Sequence, residues 1–131
     1  MAQRRNISSG TKWEPLVAYS RVVRVGNQVY VAGTTATDDE GNLVGENDAY
    51  EQTRFILQKI EHYLHNAGAE MRHVVRTRMF VTNAALWEAV GKAHHEYFAD
   101  VQPVATLVEV SALIGSGYLV EIEVDAFIHD E

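Results

Sequence analysis

Residues 120–128 alternate between apolar and acidic side chains for most of their length. Val120, Ile122, Val124, Ala126 and Ile128 fall on one side of an extended chain, and Glu121, Glu123 and Asp125 on the other. The spacing predicts a strand with a core face and a charged face. Three carboxylates at i, i+2 and i+4 repel one another, so the charged face needs water or cationic partners. Upstream, Gly26-Asn27 separates two β-prone runs, 20–25 and 28–33, and predicts a tight hairpin. Residues 38–45 (DDEGNLVG) are rich in turn formers and predict a surface loop.

A helical period follows. Asp48 suits an N-cap, with Glu51 three residues on completing a capping box. Ile56, Ile60, Tyr63, Leu64 and Ala67 form one apolar stripe, and Glu51, Arg54, Gln58, Glu61, His62 and His65 lie mostly off it. Gly68 suits the left-handed residue that ends such a helix. Residues 73–81 (HVVRTRMFV) are β-branched and strand-like. Asn83 can cap a second helix with Leu86, Val90, Ala93 and Tyr97 inward, and Pro103 stops that region. Strands are predicted at 105–110 and 119–129, with Gly115-Ser116-Gly117 as a turn between them.

The order is β-β-α-β-α-β-β in a single domain, 1–131, whose first seventeen residues form an N-terminal arm. Right-handed crossovers place both helices on one sheet face, an α+β arrangement. The other face is expected to carry Glu109, Glu121, Glu123 and Asp125 beside Leu107 and Phe127. Such a surface suits neither open water nor a dry core, and self-association answers both.

Composition narrows the chemistry. There is no cysteine, which excludes disulfides and thiol catalysis and suits a reducing compartment. The N-terminal MAQRRNISSGTKWEP lacks the apolar run of a signal peptide, and no segment is apolar enough to span a membrane, so a cytoplasmic location is expected. Acids outnumber bases 18 to 11 and the net charge is −7, which argues against nucleic acid as a partner. Arg76 and Arg78, two apart on one strand, are expected to pair with acids.

No cofactor motif is present, and no Ser-His-Asp order or phosphate loop. Same-face acids along a strand stand about 6.6–7 Å apart, wide for one small ion, so no metal is expected. His62 and His65 have a spacing that can ligate zinc but no third ligand, and read as an exposed face. His94 and His95 point about 100° apart. Trp13 reads as an anchor for the arm.

The ordered set of segments resembles the RidA/YjgF family, the endoribonuclease L-PSP type. AYSRVVRVGNQVYVAGTTA is similar to its opening hairpin, EQTRFILQKIEHYLHNAGA to its first helix, and HVVRTRMFVTN to its third strand. HEYFADVQPVATLVEV and LVEIEVDAF are similar to its closing strands. The resemblance covers nearly everything from about residue 19. It implies a chorismate-mutase-like fold and a homotrimer whose three sheets form a central barrel. Small-molecule clefts would lie between subunits. In the archetypal branch these hydrolyse enamines and imines such as 2-aminoacrylate to keto acids and ammonia, with an arginine on the substrate carboxylate and a glutamate beside the water.

Carried over by position, the resemblance implies a cleft containing Tyr19, Ala32, Gly33, Gly91, Ala105, Leu107 and Glu121. Glu121 corresponds to the glutamate and is the candidate general base. The family's PARS motif reads Pro103-Val104-Ala105-Thr106, so alanine stands where the clamp arginine would be. Ala32 replaces a serine and Gly91 an asparagine. A guanidinium offers a two-pronged donor that Ala105 cannot imitate. Efficient deamination of amino-acid-derived imines is therefore not expected from the usual site; a different enamine or imine, ligand binding without turnover, or the ribonuclease activity ascribed to some members are the alternatives. Arg78 is a candidate replacement cation, reaching the cleft to meet Glu121 or a ligand anion. Its other reading is a structural salt bridge to Glu109, Glu121 or Glu123.

Overall fold

The computed structural model describes residues 3–130; positions 1, 2 and 131 of the predicted domain and arm lie outside them. The elements run β1 (Arg4–Ile7), α1 (Trp13–Val17), β2 (Val22–Val25), β3 (Gln28–Thr34), α2 (Ala49–Asn66), β4 (Val74–Val81), α3 (Trp87–Phe98), β5 (Val104–Glu109) and β6 (Val120–Phe127). The sheet has the order β1-β2-β3-β6-β4-β5, antiparallel except for the β4–β5 pair. This is the α+β sheet with helices on one face that the sequence predicts.

Local chemistry places each element. Val25 pairs with Gln28, so Gly26 and Asn27 close a two-residue hairpin, and Gly26 takes φ 60° at its first central position. Asp48 caps α2 by accepting from Glu51 N at 3.0 Å. The Glu51 side chain turns to Arg54 at 3.4 Å, an i,i+3 ion pair. At the other end Gly68 sits at φ 84°, Gly68 N bonds His65 O, and Ala69 N bonds Leu64 O. Asn83 caps a 3-10 turn, accepting from Ala85 N at 2.9 Å, and α3 continues from that turn.

The core lies between the sheet and α2/α3. Val22, Val29 and Val31 meet Val120, Ile122, Val124 and Ala126 across the strands, with Met79 and Val81 beside them. Ile56, Leu57, Ile60, Leu64, Val90 and Phe98 cover them from the helices. Burying side chains of this size contributes about 1.5–3 kcal/mol each. Gln52, fully buried, ties α2 to two loops: its amide donates to Gly45 O and Gly117 O, and its oxygen accepts from Leu119 N.

Two expectations change. The element order gains two members within the arm: β1 extends the sheet beside β2, and α1 follows it. Leu107 and Glu109 are not on the uncovered face. They pair with Met79 and Val81, which are buried under the helices, so Leu107 packs on the core. Glu109 lies on the same side and accepts from Ala84 N at 2.7 Å, at the start of the turn into α3.

What remains uncovered is the other sheet face. Glu121, Glu123 and Asp125 lie there with Arg76 and Arg78, which stand opposite Asp125 and Glu123 in the register. Tyr30, Val104, Val108 and Phe127 are 42–58% exposed on the same face. No helix among the described residues is long and apolar enough to cross a membrane.

Candidate functional site

The site grows from an irregularity in β3. Val31 pairs with Val124 and Thr34 with Ile122, so β3 spends three steps where β6 spends two. The extra residue is a β-bulge. It lets both Val31 and Thr34 face the core and re-aims Ala32 and Gly33. Glu121 packs onto Gly33 so closely that a Cβ there would collide with Oε2 and stand 3.0 Å from Cδ. Glycine at 33 is what admits the carboxylate.

A second group converges on the same residue. The Arg21 guanidinium donates from Nη1 to Gly33 O at 2.9 Å and to Thr34 Oγ1 at 3.1 Å, and from Nη2 to the Tyr19 hydroxyl at 3.3 Å. Tyr19 is delivered by α1, which ends on Ala18 at φ 73°. The left-handed region costs a non-glycine residue about 1 kcal/mol. Ala18 N and Tyr19 N both donate to Glu14 O there, at 2.8 and 2.9 Å. The Tyr63 ring of α2 also approaches the guanidinium, 5.8 Å from ring centre to Cζ.

Glu121 is half-buried. Burial pushes its carboxyl above the usual carboxylate range; the Arg21 charge opposes this and Glu123 adds to it. Lys59 nearby donates to Thr35 O and Thr37 O at 3.0 and 2.8 Å. Burial, reinforced by Arg21, brings its amine down to about 8. A carboxyl with a raised pKa near a fixed cation is suited to taking up and returning protons.

The structure divides the sequence-predicted residues into two groups. Tyr19, Ala32, Gly33 and Glu121 come together around the bulge. Gly91, Ala105 and Leu107 do not join them. Ala105 pairs with the buried Thr77, so it lies on the helix side of the edge strand β5, across β4 from Glu121. Gly91 lines a hollow of 290 Å³ at the corner of α3 and β5 with His94, His95, Phe98 and Pro103. His94 bonds Thr77 Oγ1 through Nε2 at 2.9 Å and packs on Phe98. Burial holds it below the usual histidine pKa. Trp13 opens α1 and is half exposed, with Lys12 Nζ 4.9 Å from the ring centre.

Arg78 donates to Glu123 at 3.0 Å and Asp125 at 3.4 Å, and Arg76 lies 3.8 Å from Asp125. The geometry matches the charge-balancing reading of Arg78, with Glu123 as partner. Partly exposed pairs of this kind contribute little each. Arg78→Ala is therefore expected to lower Tm by a few degrees in a thermal melt and to leave the affinity for small carboxylates unchanged. A loss of that affinity would return Arg78 to the cleft. No motif in the sequence marks Arg21, which enters the site through Gly33 and Glu14, both distant along the chain.

The sequence matches the family described as Endoribonuclease L-PSP over residues 10–128. The uncharacterized protein SCO2049 of Streptomyces coelicolor is 39% identical over 123 residues, 94% of this chain and 91% of that one. The 3-aminoacrylate deaminase RutC of Acinetobacter baylyi is 33% identical over 108 residues, 82% of this chain and 85% of that one. The crystal structure of Rv2704 from Mycobacterium tuberculosis, a YjgF/YER057c/UK114 family member, superposes with TM-score 0.87 at 46% identity, covering 96% of this chain and all of that one. The fold and the matches thus define a small α+β protein of the RidA/YjgF type. This chain belongs to the endoribonuclease L-PSP (RidA/YjgF) family.

Proposed function

We propose that this protein is a homotrimer that hydrolyses a small enamine or imine in clefts between subunits, with Glu121 as the proton-transfer group. The half-buried Glu121 carboxyl, pressed on Gly33 and backed by Arg21 and Tyr19, carries this reading. In the reaction, the protonated Glu121 gives its proton to the enamine carbon, which yields an iminium. Water adds to the iminium carbon and gives up a proton to the Glu121 carboxylate. That proton passes to nitrogen, the C–N bond breaks and ammonia leaves, and the hydroxyl proton returns to Glu121 as the carbonyl forms. Each step needs a group that both takes and returns a proton, and a raised carboxyl pKa suits both directions. The relative named 3-aminoacrylate deaminase supports an acid-bearing enamine as the substrate class.

The trimer is the second half of the proposal. The uncovered face combines exposed Tyr30, Val104, Val108 and Phe127 with paired charges, a surface that association would bury. Association is also what would bring the Gly91–Ala105 group of one copy to the Glu121 group of another, since one chain holds them apart. The reading with most support after this one is a ligand-binding module without turnover, favoured by alanine at 105. The family name's ribonuclease reading is opposed by the net charge of −7.

Native mass spectrometry is expected to give three times the 14.7 kDa chain mass. Freshly generated 2-aminoacrylate or 3-aminoacrylate is expected to release ammonia faster with the protein than without. A monomer, or no acceleration with either compound, would defeat the trimeric hydrolase.

A further inference from the structure

Arg21 is 9% exposed and Glu14 3% exposed, and Arg21 Nε lies 4.0 Å from Glu14 Oε2. Glu14 is held from the N-terminal side. Ser9 donates to it through its backbone N, at 3.1 Å, and through its hydroxyl, and Thr11 Oγ1 donates at 3.0 Å. Burial works against its charge, but the hydrogen bonds from Ser9, Ser8 and Thr11 keep its carboxyl below the usual range, so it is an anion. A buried ion pair is rarely the most stable filling for such a space; apolar residues of similar volume often do as well. What distinguishes this pair is what the cation holds: Gly33 O, Thr34 Oγ1 and the Tyr19 hydroxyl, all around the residue on which Glu121 rests.

We propose that Arg21, with Glu14 as its counter-ion, is a positioning residue of the Glu121 site. It fixes the bulge and the Tyr19 hydroxyl, and sets the field in which Glu121 takes up and releases its proton. The segment from Ser9 to Glu14 becomes a working part of the site. The inference rests on the reading that Glu121 does the chemistry. The charges around Glu121 are few. Glu123 shares its strand, and Arg78 of β4 is engaged by Glu123 and Asp125. Tyr63 and Lys59 approach Arg21 from α2.

The two partners act on Glu121 with opposite signs. Removing the cation makes the ionised carboxylate harder to form, and removing the counter-ion makes it easier. Side-chain carboxyl titration by ¹³C NMR on the full-length protein reads this without any substrate. Arg21→Gln is expected to move the Glu121 midpoint up and Glu14→Gln to move it down. Arg21→Lys should leave it near the parent value, while the Tyr19 ring signals shift, since an ammonium cannot span the carbonyl and the phenol together.

The double variant Glu14→Gln/Arg21→Gln removes both charges together and serves if either single variant fails to fold. There the midpoint is expected above the parent value but below that of Arg21→Gln, with Tyr19 displaced. A Glu121 midpoint that moves the same way in both single variants, or in neither, would overturn the proposal. So would Tyr19 signals unchanged in Arg21→Lys and in the double variant. Absence of ammonia release from the parent protein would defeat the hydrolase reading and leave these shifts in place.

Discussion

Glu121→Gln is expected to release ammonia about 10²–10⁴-fold more slowly than the parent, the usual worth of a positioned acid–base group, and yet to melt at a higher temperature at pH 7. The amide keeps the shape and cannot accept the proton. The stability gain follows from linkage. The folded protein holds the Glu121 proton more tightly than the unfolded chain does, because burial raises its pKa. Between the unfolded and folded values the native state carries more protons, so stability falls as pH rises through that window and stays lower above it. The neutral amide is spared that loss. Thermal melts of the two proteins from pH 4 to pH 8 should therefore converge at the acid end and separate toward neutrality, the variant above. A variant that is less stable at pH 7, or one that still works at the parent rate, would remove Glu121 from the role of buried proton carrier.

The strand that carries Glu121 is where the sequence is most legible. The alternation at 120–126 placed Glu121, Glu123 and Asp125 on one side and the core residues on the other, as found. The hairpin glycine, the Asp48 cap and the left-handed Gly68 were legible because each is a local requirement of backbone geometry. The resemblance then gave the fold.

Other features depended on register. In β5 both sides of the strand look alike: Val104, Thr106 and Val108 on one, Ala105, Leu107 and Glu109 on the other. Alternation carries no signal there, and only the parallel pairing with β4 turns Leu107 inward. β1, Arg4–Ile7, reads as a polar arm because it is an edge strand with little to bury. Arg21 looks like any charged residue entering a hairpin. Its burial depends on a bulge twelve residues on and on Glu14 seven residues before, and neither is visible as a motif.

Position 105 is the sharpest test of where the substrate sits. Ala105→Arg is expected to raise ammonia release from acid-bearing enamines by about 10–100-fold, mainly through KM. A charged hydrogen bond to a carboxylate contributes about 1.5–3 kcal/mol, and each 1.4 kcal/mol is tenfold. The position can take the longer side chain, since Ala105 is exposed on an edge strand. Neither Arg21 nor Arg78 supplies this donor, since Arg21 is committed to Gly33, Thr34 and Tyr19 and Arg78 to Glu123 and Asp125. The gain requires a second copy, because within one chain β4 separates position 105 from Glu121. An Ala105→Arg protein that keeps the parent's oligomeric state and shows unchanged KM would mean that the substrate acid never approaches β5. A gain that vanishes when Glu121→Gln is added would place the two residues at opposite ends of one bound molecule.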